Sequence, residues 1–262
     1  MRAASLALAG IGIVLTNTAS AAETQIPAAA RAAGLTTLTF ADDFAMPDII
    51  YRGAFAPPGI VVWYDGATGY LGSSGYTFAD DGLHIHYPGG AGNVGGIATA
   101  NQRYDRGIAF GPPYYFSATI ALSQSKDAWD GWWAIGLEHW NPGSNTFCEH
   151  DIQEEWGKGT YVHTLHWIID GKSTQNKNIT TRLTADLTQP HRYATLNDGT
   201  TVRWYFDDEE VGSTPATGPC GLDTRQMLVL TTGSHRGESP PHDMVIREVR
   251  VYQGANPNNW SR

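Results

Sequence analysis

Residues 147–156 read FCEHDIQEEW, a run that is typical of a β-strand carrying acids along one face. Because side chains alternate between the two faces of a strand, Glu149 and Asp151 share a face. Regular alternation would place Gln153, rather than Glu154, beside them. A single β-bulge after Asp151 shifts the count by one residue and brings Glu154 onto the same face. The pattern therefore predicts three carboxylates along one strip of a sheet.

The opposite face of this strand carries Cys148, His150 and Ile152, which alternation directs toward a core. His150 is interpreted either as a hydrogen-bonded core histidine or as a metal ligand together with Cys148. The chain has one other cysteine, Cys220. Two interpretations stay open for the pair: a disulfide, or two separate buried thiols.

Short β-rich runs flank the acidic segment on both sides, and turn sequences such as the Asp-Gly pairs at 81–82 and 198–199 separate them. No window shows convincing helical periodicity. Regular strand spacing without interleaved helices predicts an all-β, single-domain β-sandwich or jelly roll. The predicted strands lie within residues 38–40, 59–64, 77–87, 97–104, 114–122, 132–140, 147–156, 161–169, 192–208, 226–233 and 243–253.

Composition narrows the function. The chain has 262 residues, 11% of them aromatic, and 26 acidic against 17 basic side chains give a net charge of −9. This acidic balance argues against nucleic acid as a partner, since a sequence-independent binder needs a basic stripe, and it argues against an anionic membrane surface. Two cysteines are too few for a disulfide-dense scaffold or a four-cysteine zinc module.

The N-terminus has the organisation of an export signal. A basic Met1-Arg2 start precedes the apolar run 3–15, and Ala-Ser-Ala at 19–21 fits a cleavage site. The run is too short to span a bilayer. We therefore predict a signal peptide at 1–21 and a secreted product, extracellular or periplasmic. An Ala-rich, loosely held leader at 22–37, the folded domain at 38–253 and a tail at 254–262 complete the predicted organisation.

Three close carboxylates are expensive to ionise together, so at least one pKa must rise. Glycoside hydrolysis uses such a set: one carboxylate is an ionised nucleophile, and a second is a protonated acid beside the leaving oxygen. We predict Glu149 as nucleophile, Glu154 as acid/base, and Asp151 between them as the group that sets their protonation. The alternative interpretation is a solvated acidic strand on the surface of a sandwich.

Aromatic residues surround the acids. Six of the nine tryptophans fall between residues 129 and 167. Indoles stack on the apolar faces of sugar rings, although core packing is the ordinary role of a buried tryptophan. Alternation sends one of Trp132 and Trp133 into the core and the other to a surface. His163 and His166 point to opposite faces, which makes them a poor metal pair.

The acidic segment EHDIQE at 149–154 resembles the E-x-D-x-x-E signature of glycoside hydrolase family 16, the laminarinase, lichenase and agarase group, in its bulged form. The resemblance extends over residues 38–253. Other stretches that resemble the family are LTFADDF (38–44), GGIAT (95–99), GPPYYFSATIAL (111–122), GWWAIGL (131–137), VHTLHW (162–167), HRYATLNDGTTVRWYFDDEEV (191–211), QMLVLTTG (226–233) and VIREVRVYQ (245–253).

The resemblance implies a concanavalin A-like jelly roll of two curved antiparallel sheets with a carbohydrate cleft on the concave face. It favours Trp129, Trp133 and Trp140 as cleft residues, and His166 as a hydrogen-bonding partner of the acids or of the sugar. Many members bind a structural calcium through an aspartate whose place is taken here by Arg247. Asp43 is the only nearby candidate ligand that remains. We expect no cofactor and no metal at the acidic site.

The predicted function is that of a secreted, retaining endo-β-glycanase that cuts internal bonds of a polysaccharide, with β-1,3- or β-1,3-1,4-glucan favoured. A transglycosylase or a galactan hydrolase acting on agarose or carrageenan could use the same site. The alternative outside the enzymes is a non-catalytic, lectin-like carbohydrate-binding protein. The expected partner is the polysaccharide alone, and the protein is expected to be a monomer.

Overall fold

The computed structural model describes residues 25–52, 62–92, 95–103, 106–140, 145–157, 159–182, 184–222, 224–234 and 237–261, with the backbone alone at 140, 174–180 and 182. The predicted signal peptide at 1–21 lies outside these residues. No helix among them is long and apolar enough to cross a membrane.

Strands dominate the described chain, in keeping with its β-branched and aromatic runs. A helix, α1 (Ala28–Ala32), precedes them, and 3-10 turns lie at Ser73–Gly75, Leu137–Trp140 and Gly218–Cys220. The strands are β1 (Thr37–Asp42), β2 (Ile49–Ile50), β3 (Trp63–Asp65), β4 (Tyr76–Ala79), β5 (Gly82–Tyr87), β6 (Gly90–Ala91), β7 (Gly95–Ala98), β8 (Ile108–Ala109), β9 (Tyr114–Ala121), β10 (Asp130–Gly136), β11 (Phe147–Glu155), β12 (Thr160–Ile169), β13 (Lys172–Arg182), β14 (His191–Asn197), β15 (Thr201–Phe206), β16 (Glu209–Pro215), β17 (Gln226–Thr232), β18 (Glu238–Ser239), β19 (His242–Gln253) and β20 (Trp260–Ser261).

Two eight-stranded sheets form the sandwich. The first has the order β16-β15-β14-β9-β19-β5-β4, with β1 also paired to β19. The second has the order β13-β12-β11-β10-β17-β7-β3-β2. All their pairings are antiparallel except that of β2 with β3. The predicted all-β jelly-roll fold is confirmed.

The main core lies between the sheets, and alternation along the second sheet decides which side chains enter it. Trp132 and Ile152 are fully buried there, in the same cluster as Trp204 of the first sheet. Trp133 points away and joins a second buried cluster with Met227 on the other face of the sheet. The two indoles therefore point to opposite faces of the sheet, as alternation predicts, and Trp133 is also buried, at 8% exposed.

His150 and His163 are core residues. The ring of His163 stacks on Trp204 with centroids 4.9 Å apart, and His150 Nε2 lies 3.1 Å from Thr195 Oγ1. Burial, with the nearby His163, lowers the pKa of His150 to about 3, and burial lowers the pKa of His163 to about 4. Both rings are therefore neutral at physiological pH.

Cys148 and Cys220 form a disulfide, with their Cα atoms 4.9 Å apart and a sequence separation of 72. The bond joins the acidic strand to the turn at Gly218–Cys220. Of the two interpretations that the sequence left open, the disulfide is the one observed. The alternative of a metal site shared by Cys148 and His150 is wrong, because the Cys148 sulfur is already bonded.

Buried side chains fix part of the segment 25–37 to the first sheet, so the expectation of a loosely held leader is wrong at these positions. Ala30 and Leu35 are buried against Tyr115 and Tyr252 on the outer face of the first sheet. The small side chains of α1 allow this close packing. At the other end, β20 pairs with β8, so the predicted tail also contributes a short strand.

Candidate active site

The acidic strand β11 contains a β-bulge where the sequence predicts one. Against β12, Asp151 pairs with Thr164 and Glu154 pairs with Val162. An advance of three residues along β11 is therefore paired with an advance of two residues along β12. The same extra residue appears in the pairing of β11 with β10. The predicted bulge is confirmed, and it turns Glu154 to the same face as Asp151.

The three acids share one cleft on the open face of the second sheet. Its volume is about 380 Å³. The lining includes no lysine or arginine among the residues that the structure describes, so an imidazole is the one basic group in it. The lining residues are Thr68, Trp129, Trp133, Glu149, Asp151, Glu154, Trp156, Thr164 and His166.

Neighbouring side chains hold the acids in place. The indole Nε1–H of Trp129 donates to Glu154 Oε1 over 2.8 Å. His166 Nε2 lies 2.9 Å from Asp151 Oδ2 and 4.0 Å from Glu149 Oε1. The imidazole therefore contacts Asp151 directly and lies close to Glu149, its cross-strand neighbour on β12.

Burial is the largest influence on all three carboxyl groups, because it penalises the charged form. Burial raises the pKa of Glu149, and the positive form of His166 opposes this. Burial and then the charge of Glu154 raise the pKa of Asp151 well above its usual range. Burial raises the pKa of Glu154, while the Trp129 hydrogen bond lowers it. The three groups interact and therefore titrate as a set.

Trp129 is positioned by the buried start of β10. Its backbone N–H donates to Gly233 O over 2.8 Å. The next residue, Asp130, is fully buried and accepts hydrogen bonds from Thr232 Oγ1 at 2.6 Å and from the Ser123 backbone N–H at 2.7 Å. His242 Nε2 lies 3.7 Å from the same carboxylate. These contacts fix the backbone from which the indole reaches Glu154.

The structure places the other predicted binding residues as follows. Trp133 lines the cleft, and its indole N–H donates to Thr231 Oγ1 over 3.1 Å rather than to an acid. His166 lines the cleft beside the acids. Trp140 ends a 3-10 turn, but its side chain lies outside the part of the chain that the structure describes.

Sequence reasoning missed three lining residues, Thr68, Trp156 and Thr164. Thr164 pairs with Asp151, so strand register could have indicated it. Thr68 reaches the cleft from the loop after β3. The buried Asp65 holds that loop by accepting hydrogen bonds from the Gly72 backbone N–H at 2.9 Å and the Tyr76 hydroxyl at 2.6 Å. Nothing in the local sequence of Thr68 signals this placement.

Within the described residues, one group of side chains has the spacing of metal ligands: Glu149, Asp151 and His166, whose ligand atoms lie within 4.8 Å of one another. Asp43, the candidate calcium ligand, is not part of such a group. Its Oδ1 accepts a hydrogen bond from the Ala45 backbone N–H at 3.1 Å, as in an ordinary turn.

The family model for the concanavalin A-like lectin/glucanases superfamily matches residues 127–258, half of the chain. The match includes the acidic strand and both of its neighbours. The chain therefore belongs to this superfamily, which includes both lectins and glucanases. A search of curated protein sequences gives no significant match.

Solved structures with the same fold include glycoside hydrolases. The laminarinase catalytic domain from Thermotoga petrophila superposes with a TM-score of 0.63 at 16% identity, over 84% of this chain and 98% of that chain. The endo-β-1,3-glucanase from Pyrococcus furiosus superposes with a TM-score of 0.64 at 17% identity, over 82% of this chain and 94% of that chain. A GlcNAcα1-4Gal-releasing endo-β-galactosidase from Clostridium perfringens superposes with a TM-score of 0.62 at 16% identity, over 84% of this chain and 63% of that chain. At these identities the likeness establishes the fold.

Proposed function

We propose that the protein is a retaining endo-β-glycanase of the glycoside hydrolase family 16 type. The observation that carries this proposal is the bulge in β11, which brings Glu149, Asp151 and Glu154 onto one wall of a tryptophan-lined cleft. A merely solvated acidic strand would have no reason to bury its carboxylates. Solved endo-glucanases with this fold support the same class of activity.

In the first step, a Glu149 carboxylate oxygen attacks the anomeric carbon of the sugar. The bond from that carbon to the leaving oxygen breaks, and Glu154 gives its proton to this oxygen. The pKa of Glu154, raised first by burial, favours the protonated form that this step requires. The product is a glycosyl ester on Glu149 and a sugar chain with a new hydroxyl group.

In the second step, water hydrolyses the glycosyl ester on Glu149. Esterification removes the negative charge of Glu149, and this charge had raised the pKa of Glu154. The pKa of Glu154 therefore falls, and its carboxylate accepts a proton from the incoming water. The hydroxide attacks the anomeric carbon, Glu149 leaves as a carboxylate, and the two inversions restore the original configuration.

Asp151 and His166 act on this cycle without bonding to the sugar carbon. Asp151 is the most buried of the three cleft acids, with its side chain 7% exposed, and its pKa, raised well above the usual range first by burial, lets it take up the first proton of the set. When Asp151 is protonated, it carries no negative charge that would repel the carboxylate of Glu149. The imidazole of His166 stabilises the ionised form of Glu149, since its positive form opposes the increase in pKa caused by burial.

The proposed substrate is a β-1,3- or β-1,3-1,4-linked glucan, which Trp129 and Trp133 would contact with their ring faces. The solved glucanases with this fold favour it. A galactan is the second candidate, because an endo-β-galactosidase shares the fold. Transglycosylation would use the same glycosyl ester, with a sugar hydroxyl in place of water.

We further propose that the signal peptide directs export and that the mature protein acts as a secreted monomer. The substrate then meets the enzyme outside the cytoplasm, where the Cys148–Cys220 bond is stable.

The test is to release products from laminarin, lichenan, agarose and carrageenan with the purified mature protein. Proton NMR of the first products should show the β-anomer before mutarotation. Glu149→Gln should fall below about one thousandth of the wild-type rate, and Glu154→Gln by about 10²- to 10⁴-fold. Glu209→Gln, an exposed site on the other sheet, is the matched control and should retain full activity.

An initial α-anomer would contradict the retaining mechanism, and full activity in Glu149→Gln would contradict the assignment of the nucleophile. Sugar binding of equal affinity in wild type and Glu154→Ala, with no turnover by either, would identify a lectin-like protein instead. Products longer than the starting oligosaccharide would identify a transglycosylase.

A further inference from the structure

Two carboxylates and an imidazole converge at one point of the cleft. His166 Nε2 is 2.9 Å from Asp151 Oδ2 and 4.0 Å from Glu149 Oε1, and all three ligand atoms lie within 4.8 Å of one another. Ligands in a tetrahedral zinc site, each about 2.0–2.1 Å from the metal, stand roughly 3.3 Å apart. The two distances from His166 Nε2, 2.9 and 4.0 Å, lie on either side of that value.

The backbone presents the three groups in the way a metal site requires. Glu149 and Asp151 are two residues apart on β11 and so share a face, and His166 is the cross-strand partner of Glu149 on β12. The paired strands form a rigid platform, and they leave the cleft side open for a water ligand. Solvent reaches the group, since the side chains of Glu149 and His166 are 30% and 25% exposed.

Charge favours a cation at this position. Three acids line the cleft, and the described lining offers no lysine or arginine to neutralise them. A divalent cation would remove the mutual repulsion that the acids otherwise relieve by binding protons. Protons and the cation therefore compete for the same oxygens.

We propose that Glu149, Asp151 and His166 form a binding site for a borderline transition-metal ion such as Zn²⁺ or Co²⁺, and that its occupation shuts off the enzyme. An imidazole with two carboxylates suits these ions, whereas Mg²⁺ and Ca²⁺ prefer shells of oxygen alone. The inhibitory part rests on the proposed function, because a bound ion occupies the Glu149 oxygen that would attack the sugar. Metal binding by itself does not depend on it.

Binding is tested directly with Co²⁺, whose visible absorption reports nitrogen and oxygen coordination without any activity. The metal-free mature protein should bind one Co²⁺ per chain in the presence of excess Mg²⁺ and Ca²⁺. Excess Zn²⁺ should displace it. His166→Gln and Glu149→Gln should each weaken binding by at least about 100-fold, more than the loss of an outer-shell partner usually costs.

The matched control is His84→Gln/His86→Gln, which removes the paired histidines of β5 on the first sheet, where both rings contact Asp243. This variant should bind Co²⁺ as the wild type does. Binding that survives in both single variants, or that disappears in the control, would overturn the proposal, as would no binding by the wild type. Circular dichroism shows whether each variant is folded. If one of the two single variants does not fold, the other still tests the site.

Activity provides a separate measurement. Zn²⁺ should inhibit glycan hydrolysis competitively with substrate, and EDTA should restore the rate. Binding of Co²⁺ without any hydrolase activity would refute the proposed function but support the metal site. Hydrolysis that Zn²⁺ leaves unchanged, at concentrations that displace bound Co²⁺, would refute the inhibitory role.

Discussion

Trp129→Phe isolates the hydrogen bond between the indole Nε1–H and Glu154 Oε1, which spans 2.8 Å. Phenylalanine keeps an aromatic ring in the cleft and removes the donor. The hydrogen bond stabilises the charged carboxylate more than the neutral acid, so it lowers the pKa of Glu154. Its loss must therefore raise that pKa further.

The size of the increase follows from hydrogen-bond energies. A hydrogen bond to a charged group contributes about 1.5–3 kcal/mol and one to a neutral group about 0.5–1.5 kcal/mol. The difference of about 1–1.5 kcal/mol corresponds to about one pKa unit at 1.36 kcal/mol per unit. Solvent screens the interaction little, since Glu154 is only 9% exposed.

The assay is the pH profile of kcat/KM on the best glucan, whose basic limb reports deprotonation of the general acid. We expect Trp129→Phe to move this limb up by about one pH unit. Trp133→Phe is the matched control, because that indole donates to Thr231 and not to an acid. A basic limb that stays in place or moves down in Trp129→Phe would refute the role of the hydrogen bond.

Two further predictions concern stability, measured by urea denaturation of the mature chain. Replacing Cys148 and Cys220 with alanine should lower the free energy of unfolding by about 4 kcal/mol, because the bond closes a loop of 72 residues; a loss below about 1 kcal/mol would contradict this. Leu35→Ala should cost about 2–5 kcal/mol, since Leu35 is 1% exposed against Tyr115, whereas Leu222→Ala, at a 55% exposed site, should cost little. Equal free energies of unfolding for the two leucine variants would contradict the packing of Leu35 and support a loosely held leader.

The sequence was sufficient to predict the sandwich and the three acids, because both depend on local alternation. Glu149 and Asp151 differ by two positions, and a one-residue bulge is the smallest change that adds Glu154. The neighbours of the acids were partly predictable for the same reason. His166 could be placed because it lies on the next strand, in register with Glu149.

Features set by long-range packing were not predictable in the same way. The Cys148–Cys220 bond joins residues 72 positions apart, and spacing alone says nothing about their proximity. The polar strand β13 (Lys172–Arg182) was missed because an edge strand needs no apolar alternation. The packing of Leu35 depends on aromatic partners more than 70 residues away, which its Ala-rich surroundings do not indicate.

In the proposed mechanism, Glu149 carries the glycosyl group between the two steps of hydrolysis. A 2-deoxy-2-fluoro oligosaccharide with a good leaving group slows the second step and leaves the sugar on the nucleophile. After proteolysis, mass spectrometry of the labelled protein should place the added sugar on Glu149, and Glu149→Gln should take up no label. Label on Glu154, or an enzyme that turns over natural glucan and acquires no label, would contradict the account.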